Sequence, residues 1–202
     1  MAKQNSLGMK TSTKIWIGVA VVVVLLVFWV VGAYNNFVVL NQNINGKWSE
    51  VENQYQRQAD LIPNFVSSIS SQVNVETKFV KDVVAARTAW ADTAGASQLA
   101  RDTAGQQMSS GINAFVNAVA ENYPVLQASE GYTALRDELA GTQNRITVAR
   151  GAYISAIQAY NTGVMRFPSN VIAGMFGFSQ KEYYQANPSS MNTPTLGNGT
   201  LP

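Results

Sequence analysis

Two pairs of neighbouring carboxylates, Glu50 with Glu52 and Asp137 with Glu138, are the first candidates for acid–base chemistry. Such work needs both groups aimed at one reacting atom, and residues one or two apart on a helix do not share a face. Neither pair forms a dyad by local geometry. A second constellation combines Arg57, Asp60 and Asn64 with Glu138, Asn144, Arg145 and Arg150, polar groups set among helical packing stripes. Arg145 follows Glu138 by two helical turns, so the spacing predicts partners on other helices rather than a direct contact within one. Charges beside packing faces need partners, and these seven residues read as a structural polar network. Asp60, just ahead of Pro63, is expected near a helix start, where a carboxylate satisfies free N–H groups and favours the dipole. Ser67, Ser68, Ser70 and Ser71 have no base near them in sequence and read as a solvated face.

Cysteine and histidine are both absent, which removes the thiolate nucleophile, the Cys/His zinc site and the imidazole proton relay. The chain also lacks a glycine-rich phosphate loop, a Glu-x-x-His pair and a nucleophile elbow. No catalytic, cofactor-binding or metal-binding residue is assigned. Of the 14 basic side chains, Lys3, Lys10 and Lys14 precede a long apolar run, and the rest nearly balance the 12 acidic ones beyond it. A nucleic-acid partner would need a basic stripe to neutralise phosphates, and none is visible.

These groups must be positioned by a chain of 202 residues, room for one membrane span and a single packed domain. From Ile15 to Ala33 the sequence reads IWIGVAVVVVLLVFWVVGA, uncharged and long enough as a helix to cross a hydrocarbon core of about 30 Å. Lipid offers the backbone no outside partner, so helix is the solution even for a valine-rich run. Trp16, Trp29 and Tyr34 lie near its ends, where amphipathic rings prefer the interface. Val31-Gly32-Ala33 has the small residues of a leader cleavage site, but the run is longer than a typical leader's apolar region and reads as an anchor. The three lysines before it, against Lys47 alone soon after, keep the N-terminus in the cytoplasm and put the remainder outside. The expected organisation is a cytoplasmic arm (1–14), a transmembrane helix (15–33), a helical bundle (34–184) and a disordered tail (185–202).

Phe37, Ile44, Trp48, Val51 and Tyr55 recur at helical spacing with no turn signal before Pro63, so the membrane helix is expected to continue outward. Pro63 suits the first turn of a second helix running to about Trp90, with Phe65, Ile69, Val73, Val80 and Val83 on its stripe. A third helix carries Met108, Ile112, Phe115 and Val119 and closes at Pro124. The fourth is marked by Tyr132, Leu135, Leu139, Thr142, Ile146, Ala149, Tyr153, Ala156 and Tyr160. Four stripes of similar length predict an all-α fold, an antiparallel up-and-down bundle of about four long helices continuous with the transmembrane helix. The tyrosines among them should bury their rings and direct hydroxyls to partners.

Alternating directions bring the segment after the fourth helix back beside the bilayer. This stretch, 166–178, is too short to span but rich in bulky apolar groups. Two readings are open: Phe167, Ile172, Met175, Phe176 and Phe178 touch the interface or a neighbouring subunit, or they cap the bundle's own core. Beyond it, the Asn, Ser, Thr, Gly and Pro of the last residues cannot bury enough surface to order themselves.

Ala33-Tyr-Asn-Asn through Gln58-Ala-Asp-Leu-Ile-Pro-Asn64, and Tyr123-Pro through Asp137-Glu-Leu, Asn144-Arg-Ile and Ala149-Arg150 to Tyr160-Asn161, resemble the LemA family of bacterial membrane proteins. The run Phe167-Pro-Ser-Asn-Val-Ile-Ala-Gly-Met-Phe-Gly-Phe178, then Tyr183-Tyr184, is similar to that family's C-terminal signature. Gly151 departs from it, since members usually carry another basic residue there. The resemblance implies a short N-terminal arm, one span and a long-helix bundle, and it implies no reaction.

The residues together predict a non-enzymatic scaffold, anchored in the bacterial cytoplasmic membrane, that self-assembles on the bilayer as a homo-oligomer and organises or curves it. The alternative is a monomeric adaptor or sensor that docks another membrane protein, such as a protease or kinase.

Overall fold

A computed structural model describes residues 11–73 and 75–182; the basic pair Lys3 and Lys10, the Tyr183-Tyr184 motif and the expected tail 185–202 lie outside them. Among the described residues the chain is helical and no strand occurs. The helices are α1 (Thr11–Ser70), α2 (Thr77–Ala91), α3 (Gln98–Asn122), α4 (Glu130–Met165) and α5 (Ser169–Phe176), with a 3-10 turn over Pro124–Ala128 before α4. The described residues divide into two compact units, one of 11–42 with 159–181 and the other of 43–158 with 182.

Helix α1 passes through Pro63 without ending there, against the expectation that this proline opens a second helix. Proline has no N–H to give to the carbonyl four residues back, here that of Ala59. Arg87 supplies the missing donor: its Nε donates to the Ala59 carbonyl oxygen at 3.0 Å. The break comes instead after Ser70, where the Ser71 hydroxyl and the Gln72 amide both donate to the Ser68 carbonyl, drawing it away from the helix ladder. The stripes are therefore unequal: α1 has 60 residues and α2 only 15.

In the second unit, α1 contributes Ile44, Trp48, Val51, Tyr55, Ile62, Phe65 and Ile69 to a continuous buried seam. Tyr132 and Phe115 meet Phe65 with ring centroids 5.6 and 5.8 Å away, and Tyr153 meets Trp48 at 5.5 Å. Positions rise on α1 as they fall on α4, so the two run antiparallel. Phe65 with Phe115 and Tyr55 with Asp102 rise together, so α1 and α3 run parallel. The pairs Ala59 with Arg87 and Tyr55 with Trp90 run in opposite senses, so α2 is reversed and the order is up, down, up, down. Gly105 is required by close approach: a Cβ there would lie 2.6 Å from the Tyr55 ring.

In the first unit, Phe37 stacks on Phe178 at 5.0 Å and meets Tyr160 edge-on at 6.3 Å. Gly163 lets the end of α4 approach, since a Cβ there would sit 3.3 Å from Phe37 and 3.5 Å from Leu40. Helix α5 ends at Gly177, whose φ of 75° is a left-handed conformation that glycine adopts without strain, and Phe178 N–H closes the end on the Ala173 carbonyl.

Candidate functional site

The apolar stretch of α1 has its side chains outside any core: Trp16, Phe28 and Trp29 are exposed, as are the valines and leucines between them. From Lys14 to Tyr34 the helix climbs about 30 Å, the thickness of a hydrocarbon core. Among the described residues this is the one helix long and apolar enough to cross a membrane. Tyr34, just past the stretch, meets the ring of Phe176 edge-on at 5.1 Å and that of Phe178 at 5.6 Å.

The apolar segment after α4 has some side chains packed within its own unit and others exposed. Ile172 is 2% exposed and belongs to its unit's own core, while Phe178 is half-buried with its ring stacked on Phe37. The physical reason is the turn of α5, which sends Ile172 and Ala173 inward while Val171 and Met175 emerge on the other face. Phe167, Met175 and Phe176 remain exposed, Phe176 while touching Tyr34. Sequence reasoning missed Asn161, fully buried, whose carboxamide accepts from the Lys181 N–H and donates to the Lys181 carbonyl, each at 2.8 Å. The Ser169 hydroxyl lies 2.8 Å from the carbonyls of Gly163 and Arg166, tying the start of α5 to the end of α4.

The polar groups of the second unit assemble in three places. Glu138 accepts from Arg57 at 2.7 Å and from Arg145 at 2.9 Å, and Arg145 also meets the Thr142 hydroxyl. The expectation that Arg145 and Glu138 are too far apart on one helix is thus corrected. Two turns separate their backbones by about 10 Å on nearly the same face, a gap that both long side chains close by leaning towards one another along the helix. The hydrogen bond from Arg57 holds the Glu138 carboxyl below its ordinary range; partial burial opposes this, and the charges of Arg57 and Arg145 add to it. Asp60 sits inside α1 and accepts from Gln56 at 2.8 Å, so it caps no helix start, while Asn64 is exposed.

The second place is centred on Asp102, which is buried and which the sequence reading passed over. Its Oδ1 accepts from the Tyr55 hydroxyl at 2.8 Å and pairs with Arg150 at 3.2 Å. Above it, the Tyr153 hydroxyl donates to Gln98 at 2.9 Å; burial first, and the Asp102 charge second, push the Tyr153 phenol up. Arg101 pairs with Glu52 and lies 4.5 Å over the Trp90 ring. A signal did exist: stepping the Met108–Val119 stripe back by helical turns lands on Gly105 and Asp102, a carboxylate on a core face.

The third is a shallow groove lined by Glu50, Asn53, Gln54, Asn144, Arg145 and the small faces of Ala149 and Ala152. Gln54 Oε1 and Arg145 Nε are shielded from solvent here without a hydrogen-bond partner. The carboxylates first considered for acid–base work each face their own cation: Glu50 meets Lys47, Glu52 meets Arg101, Asp137 meets Arg136 and Glu138 meets two arginines.

The LemA family model matches residues 47–197. The chain is 26% identical over 195 residues to Magnetosome protein MamQ 2 of Paramagnetospirillum magneticum, covering 84% of this chain and 72% of that one. It is 23% identical to Magnetosome protein MamQ of Magnetospirillum gryphiswaldense over 186 residues, covering 81% and 68%. With one exposed apolar helix and these relatives, the chain is a single-pass, membrane-anchored protein.

Proposed function

The chain belongs to the LemA family, and from that premise we propose that it is a non-enzymatic scaffold whose copies associate on the membrane and organise or curve it. The observation that carries this reading is α1 itself. One helix of 60 residues supplies both the exposed apolar stretch and the buried seam from Ile44 to Ile69. Anchor and packed core therefore share an element, as a membrane scaffold needs. The near balance of charge beyond the span lets copies approach without mutual repulsion. The relatives named for the magnetosome support a structural role. The positive-inside bias of Lys3, Lys10 and Lys14 supports a reading with the N-terminus in the cytoplasm and the helical domain across the cytoplasmic membrane from it.

The reading as an adaptor for another membrane protein draws on the groove at Gln54 and Arg145, where an acceptor and a donor are shielded without partners. Crosslinking in intact cells separates the two. Self-crosslinked ladders are expected for the scaffold, whereas one dominant foreign partner with no self-crosslinks establishes the adaptor in its place. Protease added outside spheroplasts should digest the helical domain, and a domain left intact reverses the orientation.

A further inference from the structure

We propose that α5 is a second membrane contact: its outward face, Val171 and Met175 with Phe167 ahead of them, lies in the phospholipid interface beside the end of the α1 span. This rests on anchoring by α1 alone and not on self-association.

Four observations converge on it. Helix α5 is apolar on two faces, and only one is used inside the protein. Ile172 and Ala173 are buried, while Phe167 is 78%, Val171 52% and Met175 70% exposed. The three exposed residues follow one another at intervals of four, one stacked above the next where they are helical. From Phe167 to Gln180 no side chain is charged.

The second observation is level. Phe176, on the last turn of α5, contacts Tyr34, and Tyr34 stands about 30 Å along α1 from Lys14. That distance puts Tyr34, and α5 with it, where hydrocarbon gives way to headgroups. Third, α5 is held in place at both ends, by Ser169 on the carbonyls of Gly163 and Arg166 and by Asn161 on the backbone of Lys181. Its outward face stays outward.

The fourth concerns the occupant. On α1 itself Val31 and Tyr34 are exposed where the apolar run ends, and Tyr34 touches Phe176, so the outward face of α5 continues the apolar surface of the span within their unit. Arg166 and Lys181 bracket the segment with cations suited to phosphate groups. An amphipathic element at this depth buries its apolar side in the boundary between headgroups and acyl chains.

The chain has no cysteine, so single labels need no background removed. Full-length Val171→Cys and Met175→Cys variants carry an environment-sensitive fluorophore in phosphatidylcholine–phosphatidylglycerol vesicles with brominated acyl chains. Labels at Leu25→Cys and Asp82→Cys give the hydrocarbon and aqueous references. Because both test positions are exposed, the label displaces no core. Bromine should quench labels 171 and 175 to a depth of about 5–10 Å below the phosphates. Quenching at 171 and 175 no greater than at 82, with 25 fully quenched, overturns the proposal while leaving the anchor in place. Failure at 25 as well removes the anchoring on which it rests.

Discussion

The side-chain amide of Asn161 forms a two-point bond with the backbone of Lys181, giving its proton to one carbonyl and receiving the N–H of the same residue. Asn161 is fully buried, so neither bond competes with water. The pair closes the loop after α5 onto α4, and the Lys181 ammonium then lies 5.6 Å from the centre of the Tyr160 ring.

Asn161→Ala should destabilise the folded chain by about 2–4 kcal/mol, since two bonds are lost and buried backbone groups are left without partners. Asn161→Asp keeps the acceptor for the Lys181 N–H and loses the donor. Hydrogen exchange at the Lys181 amide should be fast in the alanine variant and slower in the aspartate one. Equal protection in wild type and Asn161→Ala contradicts the clamp.

Arg87 acts as the missing donor of Pro63, which a double-mutant cycle can test. Arg87→Ala alone should cost about 1–3 kcal/mol by stranding the Ala59 carbonyl. In a Pro63→Ala background the backbone N–H at position 63 can serve that carbonyl, and the same change should cost clearly less. Identical costs in chemical denaturation show that the two residues are not coupled.

Gly105→Ala should cost about 1–3 kcal/mol, because its methyl group would press on the Tyr55 ring and disturb the bond from Tyr55 to Asp102. Thermal melting with near-ultraviolet circular dichroism reports both effects. An unchanged melting temperature rules out the close approach.

Glu138 and the buried tyrosines give opposite pH dependences. The Glu138 carboxyl is held below its ordinary 4.5 in the folded chain, so the unfolded chain binds the proton more readily. Its stabilisation is complete above the unfolded value and disappears as pH falls through the folded one. The stability gap between wild type and Glu138→Gln should therefore close on acidification, and added salt should shrink it at neutral pH. Tyr132, Tyr153 and Tyr160 are raised above 10 by burial, so their contribution holds below pH 10 and is lost as pH climbs through their folded values. Titration of stability from pH 3 to 12 should show both flanks, and a flat alkaline flank contradicts the tyrosine burial.

The helical stripes were legible because residues such as Ile44, Trp48, Val51 and Tyr55 repeat over many turns, and burial follows that repeat without help from distant partners. Pro63 misled because the residue that lets α1 continue, Arg87, lies on another helix and leaves no local mark. The eight residues of α5 are too few for periodicity to say which of Ile172 and Met175 turns inward, and the contacts that seat the segment, Phe176 on Tyr34 and Phe178 on Phe37, come from a distant part of the chain. Spacing could mark Asp102 as a carboxylate on a core face, but not its two main partners, Tyr55 and Arg150, which come from different helices.

Association of copies on the bilayer is tested most directly by electron cryotomography of the full-length chain reconstituted in vesicles. The account predicts clustered, repeating densities and membrane whose curvature departs from that of protein-free vesicles. Isolated single copies on vesicles of unchanged shape, at every protein-to-lipid ratio, contradict it.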